Sequence, residues 1–120
     1  MYLIEYYKKA NGACPVAEFL DSLAPKFAAK ALRSIDLLEE KGATLREPLA
    51  KHIDGAIWEL RVKFASDIAR IFYFAAEARK LVLLNGFVKK TQKTSANEIE
   101  RAKRYYEDYQ RRKRDDAPRV

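Results

Sequence analysis

Residues 57–75, IWELRVKFASDIARIFYFA, decide the fold. From Ile57 to Phe64 the sequence alternates strictly, with Trp58, Leu60, Val62 and Phe64 on one face and Glu59, Arg61 and Lys63 on the other. A period of two is the mark of a half-buried strand. Ala65-Ser66-Asp67 is a tight connection, and Ile68 to Ala75 is a second, almost continuously apolar strand. Residues 76–80 turn the chain again, and Leu81 to Val88 supplies a third strand. Connections this short imply a three-stranded antiparallel meander.

Outward from this core, residues 2–7 (YLIEYY) read as a first strand, rich in aromatic and β-branched residues. Pro15 opens a short helix with Val16, Phe19, Leu20 and Leu23 on one face. Pro25 opens a longer one with Ala28, Leu32, Ile35 and Leu38 as its stripe and Gly42 as its C-cap. Asp54-Gly55 marks a turn before the meander. After it, Ser95 and Glu98 fit a capping box that starts a helix running to about Arg112, with Ile99, Ala102, Tyr106 and Tyr109 as its apolar stripe. The expected fold is therefore α+β: an N-terminal strand, a helical hairpin, the meander and a C-terminal helix. One domain over residues 1–114 is expected, with 115–120 as a disordered tail.

The chain has 120 residues and a formal net charge of +7. Residues 1–86 carry 13 Lys/Arg and 11 Asp/Glu, whereas residues 87–120 carry 11 and 6. The excess thus sits in the last third, which suggests a phosphate-rich partner or, equally, a solvated basic helix. One cysteine, Cys14, excludes an internal disulfide framework and fits a reducing compartment. No leader pattern and no membrane-length apolar run is present, so a cytoplasmic domain is expected. GxxxxGK[ST], GxGxxG and HExxH motifs are all absent. A single histidine, His52, cannot build a multi-histidine metal site, and no metal or other cofactor is expected.

The meander brings distant cations together. A turn centred on Ala65-Ser66 sets Arg61 opposite Arg70, and the next turn sets Arg70 beside Gly86. Lys89 and Lys90 emerge past the same end of the sheet, so Arg61, Lys63, Arg70, Lys89 and Lys90 converge. Like charges facing each other destabilise a sheet. Holding an anion is one explanation; for Arg70, an ion pair with Asp67 or Glu59 is the other.

Three segments, WELR (58–61), RIFY (70–73) and LLNGFVKKTQKT (83–94), resemble the HigB-like, phage-derived branch of the RelE/ParE toxin superfamily. The likeness runs from the first strand through Ala102, and FVKKTQKT is its most specific part. The resemblance implies a RelE-like fold and a toxin of a type II toxin–antitoxin system. Its activity would be that of a metal-independent, ribosome-dependent mRNA endonuclease, leaving a 2′,3′-cyclic phosphate and a 5′-hydroxyl. The implied partners are the ribosome, mRNA and a helix-turn-helix, HigA-like antitoxin. Arg61 and Arg70 would hold the scissile phosphate, with Lys89 or Lys90 assisting. Lys63, Lys93 and the helix cations Arg101, Arg104, Arg111, Arg112 and Lys113 would bind RNA. A general base remains open among His52, Glu59 and Tyr105. Two other readings also remain open: a ParE-like inhibitor of DNA gyrase with no nuclease site, and a non-catalytic RNA-binding module.

Overall fold

The computed structural model describes residues 1–89 and 95–116. Its elements in chain order are β1 (Leu3–Tyr6), α1 (Pro15–Ser22), α2 (Pro25–Lys41), β2 (Ala50–Asp54), β3 (Ile57–Phe64), β4 (Asp67–Glu77), β5 (Lys80–Lys89) and α3 (Ala96–Asp115). Among the described residues the strands form one sheet in the order β1-β5-β4-β3-β2. Strands β2 to β5 are antiparallel neighbours, and β1 joins β5 in parallel, with Leu3 level with Lys80 and Tyr6 with Leu83.

The expected α+β class and element order hold, but the sheet is larger than a three-stranded meander. Strand β2 was missed because it is a polar edge: Lys51, His52 and Asp54 are exposed, and only Ala50 is buried. With one face and one edge in water it carries no apolar alternation to read. The turn expected at Asp54-Gly55 joins it to β3, and Gly55 takes a positive φ of 56°.

Helices cover both faces of the sheet. On one side α1 and α2 pack Val16, Ile35 and Leu38 against Leu60, Ile71, Tyr73, Leu81 and Leu83. On the other, α3 packs Ala102 and Tyr109 against Ile57, Phe72, Phe74, Val82 and Leu84, with Ile99, Tyr105 and Tyr106 around them. Each of the largest of these side chains contributes about 1.5–3 kcal/mol on burial. The α3 stripe is as expected. That of α2 is rotated: Phe27, Ala31, Ile35 and Leu38 point inward, while Leu32 is 47% exposed. Phe27 stacks on Phe64 at 5.2 Å, and this larger aromatic contact sets which stripe faces the sheet.

Gly42 ends α2 with φ 50°, and a Cβ there would lie 2.0 Å from the Tyr2 ring. At the start of α3 the capping box does not form: Ser95 is the N-cap but makes no side-chain cap hydrogen bond, and Glu98 accepts from Arg101 instead. The helix runs to Asp115, three residues past the expected end. Of the expected tail, 117–120 lie outside the described residues.

One irregularity decides the register around the cations. Tyr73 pairs with Leu83, yet Phe72 pairs with Asn85, so Leu84 and Asn85 share one step of the ladder. Both then face α3: Leu84 joins its apolar cluster, and the Asn85 amide donates to the Glu98 carbonyl at 3.5 Å. Beyond this bulge Arg70 pairs with Phe87 rather than with Gly86. Gly86 pairs with Ile71 on the opposite face, where a Cβ would lie 2.5 Å from the Phe19 ring.

Candidate functional site

Two adjacent rungs of the sheet carry the cations. Arg61, Arg70 and Phe87 form one; Lys63, Ile68 and Lys89 form the next. Paired residues share a face, so Arg61, Lys63, Arg70 and Lys89 all project from the face that bears α3. The expected juxtaposition of Arg61 with Arg70 is thus present, and Lys63 and Lys89 flank it. Lys90 and Lys93 lie outside the described residues.

The two arginines differ in access. Arg70 is fully buried and donates through Nη1 to Glu59 Oε1 at 3.0 Å. The Arg61 Nε donates to the same oxygen at 2.7 Å, with 14% of its side chain exposed. Glu59 is also fully buried. A carboxylate between two guanidiniums makes the facing arginines tolerable, because its charge offsets part of their repulsion. Arg70 thereby acts as an inner anchor, holding Glu59 where it aims Arg61 outward. A phosphate arriving from solvent meets Arg61 first.

Arg61 also lines a cleft of about 380 Å³ with Lys30, Ser34, Pro48, Leu49, Lys63 and Ile68. Lys30 donates from Nζ to the Lys63 carbonyl. It comes from the rim of α2 and was missed by sequence reading. Its only signal is its position one residue before the buried Ala31, at the border of the helix's apolar stripe. The Arg61 N–H is held by the Leu49 carbonyl at 2.8 Å, so the segment before β2 fixes the backbone under this side chain.

The three candidates for general base are dispersed. His52 pairs with Trp58 and lies edge-on to its ring at 5.4 Å. Trp58 packs into the α1/α2 cluster, which places His52 on the other face from Arg61. Glu59 is occupied by both arginines. Tyr105 is half-buried on α3 and stacks on Tyr7 at 4.9 Å.

Most of the basic residues expected to grip RNA along α3 already have partners. Arg101 pairs with Glu98 at 2.9 Å, Arg111 and Arg112 both reach Asp108 at 2.5 Å, and Lys113 lies 3.7 Å from Glu77. Lys103 pairs with Asp54 at 2.6 Å, which raises its pKa and lowers that of Asp54. Arg112 is bound most firmly to the fold, since it also donates to the Lys8 carbonyl and sits 5.4 Å over the Tyr7 ring. The Tyr7 hydroxyl donates to Asp108 at 2.5 Å. That bond and the Arg112 guanidinium hold the Asp108 carboxyl below its usual range. Burial, with help from Asp108, pushes the Tyr7 phenol up to about 12. Arg104 is exposed and, like Arg114, makes no ion pair among the described residues.

Among the described residues no helix is long and apolar enough to cross a membrane, and no cluster of His, Cys, Asp and Glu could hold a metal ion. No curated protein matches the sequence. A family model does, over residues 18–107, which include α2, the four antiparallel strands and the Glu59–Arg61–Arg70 cluster. On that match the chain belongs to the phage-derived Gp49-like protein family (DUF891), a RelE/toxin-like family.

Proposed function

We propose that this protein is the toxin of a type II toxin–antitoxin pair and acts as a ribosome-dependent mRNA endonuclease. The observation that carries the reading is the paired arginine rung, in which buried Arg70 and Glu59 orient the more exposed Arg61. Family membership supports the toxin assignment.

The reaction asks little of the protein beyond charge and position. A ribose 2′-hydroxyl attacks the adjacent phosphorus, the 5′-oxygen leaves, and the products are a 2′,3′-cyclic phosphate and a 5′-hydroxyl. Negative charge builds on the non-bridging oxygens as the phosphorane forms. Arg61 is suited to receive it, with the four N–H donors of its guanidinium beyond the Nε–H held by Glu59. Lys63 and Lys89, one rung further along, add positive potential and are suited to the neighbouring phosphate or the leaving oxygen. Lys30, in the cleft with Arg61 and Lys63, extends the same field. Arg104 and Arg114 are the α3 cations best suited to ribosomal RNA, since neither makes an ion pair among the described residues. A small helix-turn-helix antitoxin is the expected partner.

Primer extension on cellular mRNA after brief expression tests this. Discrete cuts within translated messages support the nuclease. Intact mRNA with arrested DNA replication points instead to a gyrase inhibitor, and intact mRNA with retained ribosome binding leaves an RNA-binding module.

A further inference from the structure

A second cleft, of about 440 Å³, opens beside β5 on the far side from β4. Strand β1 covers β5 only as far as Leu83, so among the described residues no strand flanks Leu84–Lys89 on that edge. The cleft occupies this gap, between Pro15, Glu18 and Phe19 of α1 and Arg101 and Tyr105 of α3. Asn85 and Gly86 line it from the strand, and Lys9 from the segment after β1.

Asn85 is the feature that needs explaining. Its side chain is 3% exposed, its Nδ2 donates weakly to the Glu98 carbonyl at 3.5 Å, and its Oδ1 has no hydrogen-bond partner among the described residues. The Glu98 carbonyl can only accept, so it fixes the amide with Nδ2 toward α3 and leaves Oδ1 as the idle end. A buried acceptor left idle is costly, and native proteins keep few of them. The bulge at Leu84–Asn85 turns this amide toward α3, whereas a regular ladder would have pointed it at the helical hairpin.

The surroundings define what could satisfy it. Tyr105 offers an aromatic wall already braced by Tyr7 at 4.9 Å, and Phe19 lies across the cleft on the space that Gly86 leaves free. Lys9, 5.8 Å from the Tyr105 ring centre, and Arg101 place two cations at the same cleft. Aromatic walls, one buried acceptor and a rim cation, Lys9, with Glu18 on the α1 side and Arg101 paired to Glu98, suit a planar heterocycle that carries an amine and a phosphate. The volume also suits a single small ligand.

We infer that this cleft is a base-selecting nucleotide subsite, in which Asn85 Oδ1 accepts a hydrogen bond from the exocyclic amine of a base stacked beside Tyr105. Lys9 holds the phosphate; Arg101 is engaged with Glu98 at 2.9 Å. Uracil is disfavoured, because its only ring-edge donor lies between two carbonyl oxygens that would confront Oδ1. Asn85 sits one strand across and two residues along from Arg70, and two strands across from Arg61. Strand geometry puts Asn85 and Arg61 on the order of 12 Å apart, a distance that one nucleotide and a long guanidinium side chain together can bridge. The inference rests on the RNA-cutting reading only for its natural ligand; binding itself needs neither ribosome nor cleavage.

The test is titration of the whole protein with AMP, CMP, GMP and UMP, followed by amide chemical shifts. AMP, CMP and GMP, whose bases carry an exocyclic amine, are expected to shift Asn85, Gly86 and Tyr105 and to bind at least about tenfold more tightly than UMP. Asn85→Leu should remove that preference while keeping or raising Tm, since it deletes an unsatisfied polar group. Exposed Lys9→Ala should weaken all four nucleotides alike and leave the preference intact. Equal binding of UMP, an unchanged preference in Asn85→Leu, or no shifts with any nucleotide would overturn the inference. A chain that selects nucleotides but leaves mRNA intact would sink the nuclease reading and spare the subsite. Cleavage with no base preference would do the reverse.

Discussion

Arg61 and Arg70 stand directly opposite each other across β3 and β4 and donate to the same oxygen of Glu59, at 2.7 and 3.0 Å. This arrangement separates two jobs that a shared charge would suggest are one. The buried member and its carboxylate hold position; on the proposed function, the outer member meets the ligand.

Removing Glu59 or Arg70, both fully buried, should therefore cost far more than removing Arg61. Glu59→Ala leaves two facing guanidiniums without their shared counter-ion, and Arg70→Ala leaves a buried carboxylate with one partner fewer. Each is expected to lose about 3–5 kcal/mol. The double replacement Glu59→Leu with Arg70→Met should recover most of that loss, which urea unfolding of the four proteins would measure. Growth inhibition by Arg70→Ala is consequently a poor probe of chemistry, because lost stability alone could abolish it.

Arg61→Ala is the cleaner probe. Its side chain is partly exposed and Glu59 retains Arg70, so the fold should survive with an unchanged circular dichroism spectrum. If Arg61 stabilises the phosphorane, cleavage should fall about 100- to 1000-fold. Arg61→Lys should restore only part of it, because an ammonium lacks the planar fork. Full cleavage by a folded Arg61→Ala protein would remove this residue from the mechanism.

Along α3, cations with and without partners should behave differently. Replacing Arg104 and Arg114 with Gln should flatten the salt dependence of ribosome binding by about 0.7–0.9 per charge removed and leave Tm near its original value. Arg112→Gln should lower Tm instead, because it breaks contacts to Asp108, Lys8 and Tyr7. An identical slope after loss of Arg104 and Arg114 would exclude this helix as the RNA grip.

The Tyr7–Asp108 contact should be visible in the pH dependence of stability. Asp108 has a lowered pKa in the fold, so its contribution is present above the ordinary carboxylate range and is lost as pH falls through and below about 4. Tyr7 is raised to about 12, so the unfolded chain ionises first and stability declines as pH rises from about 10 toward 12. Tyr7→Phe should weaken the alkaline decline without abolishing it, since burial also raises Tyr73 to about 12. Asp108→Asn should weaken the acid limb. Tm measured from pH 2 to 12 decides both.

The β3–β4 hairpin turns through Ala65 at a φ of 55°, a conformation that favours glycine. Ala65→Gly should raise stability by about 1 kcal/mol, checked by thermal melting. A lower Tm would mean that the turn tolerates alanine through contacts other than backbone preference.

The strands that carry the site were legible because alternation over 57–64 and the short connection after Phe64 leave a single register, which places Arg61 against Arg70. Two things escaped. A polar edge strand such as β2 has no pattern to announce it, and the bulge at Leu84–Asn85 is a backbone choice that shifts every later pairing of β5 by one residue. The basic tally along α3 was also a poor guide to its free charge. Asp108 and Glu98 sit one helical turn from the cations they engage, and Asp54 and Glu77 approach from the sheet. Ion pairs between elements become visible only once the fold places them.

Among the described residues, β1 pairs with no strand but β5. Leu3 can dock only when Lys80 has been made, and it adds four residues to a sheet whose other strands are already contiguous. On a translating ribosome β1 therefore waits until β5 has been made, and α3, which seals the second face, is completed only at Asp115. A nascent copy therefore cannot close its arginine-bearing face before α3 has been made. Enclosure of the arginine rung is thus a late event in the order of synthesis, after the strands that carry it are complete.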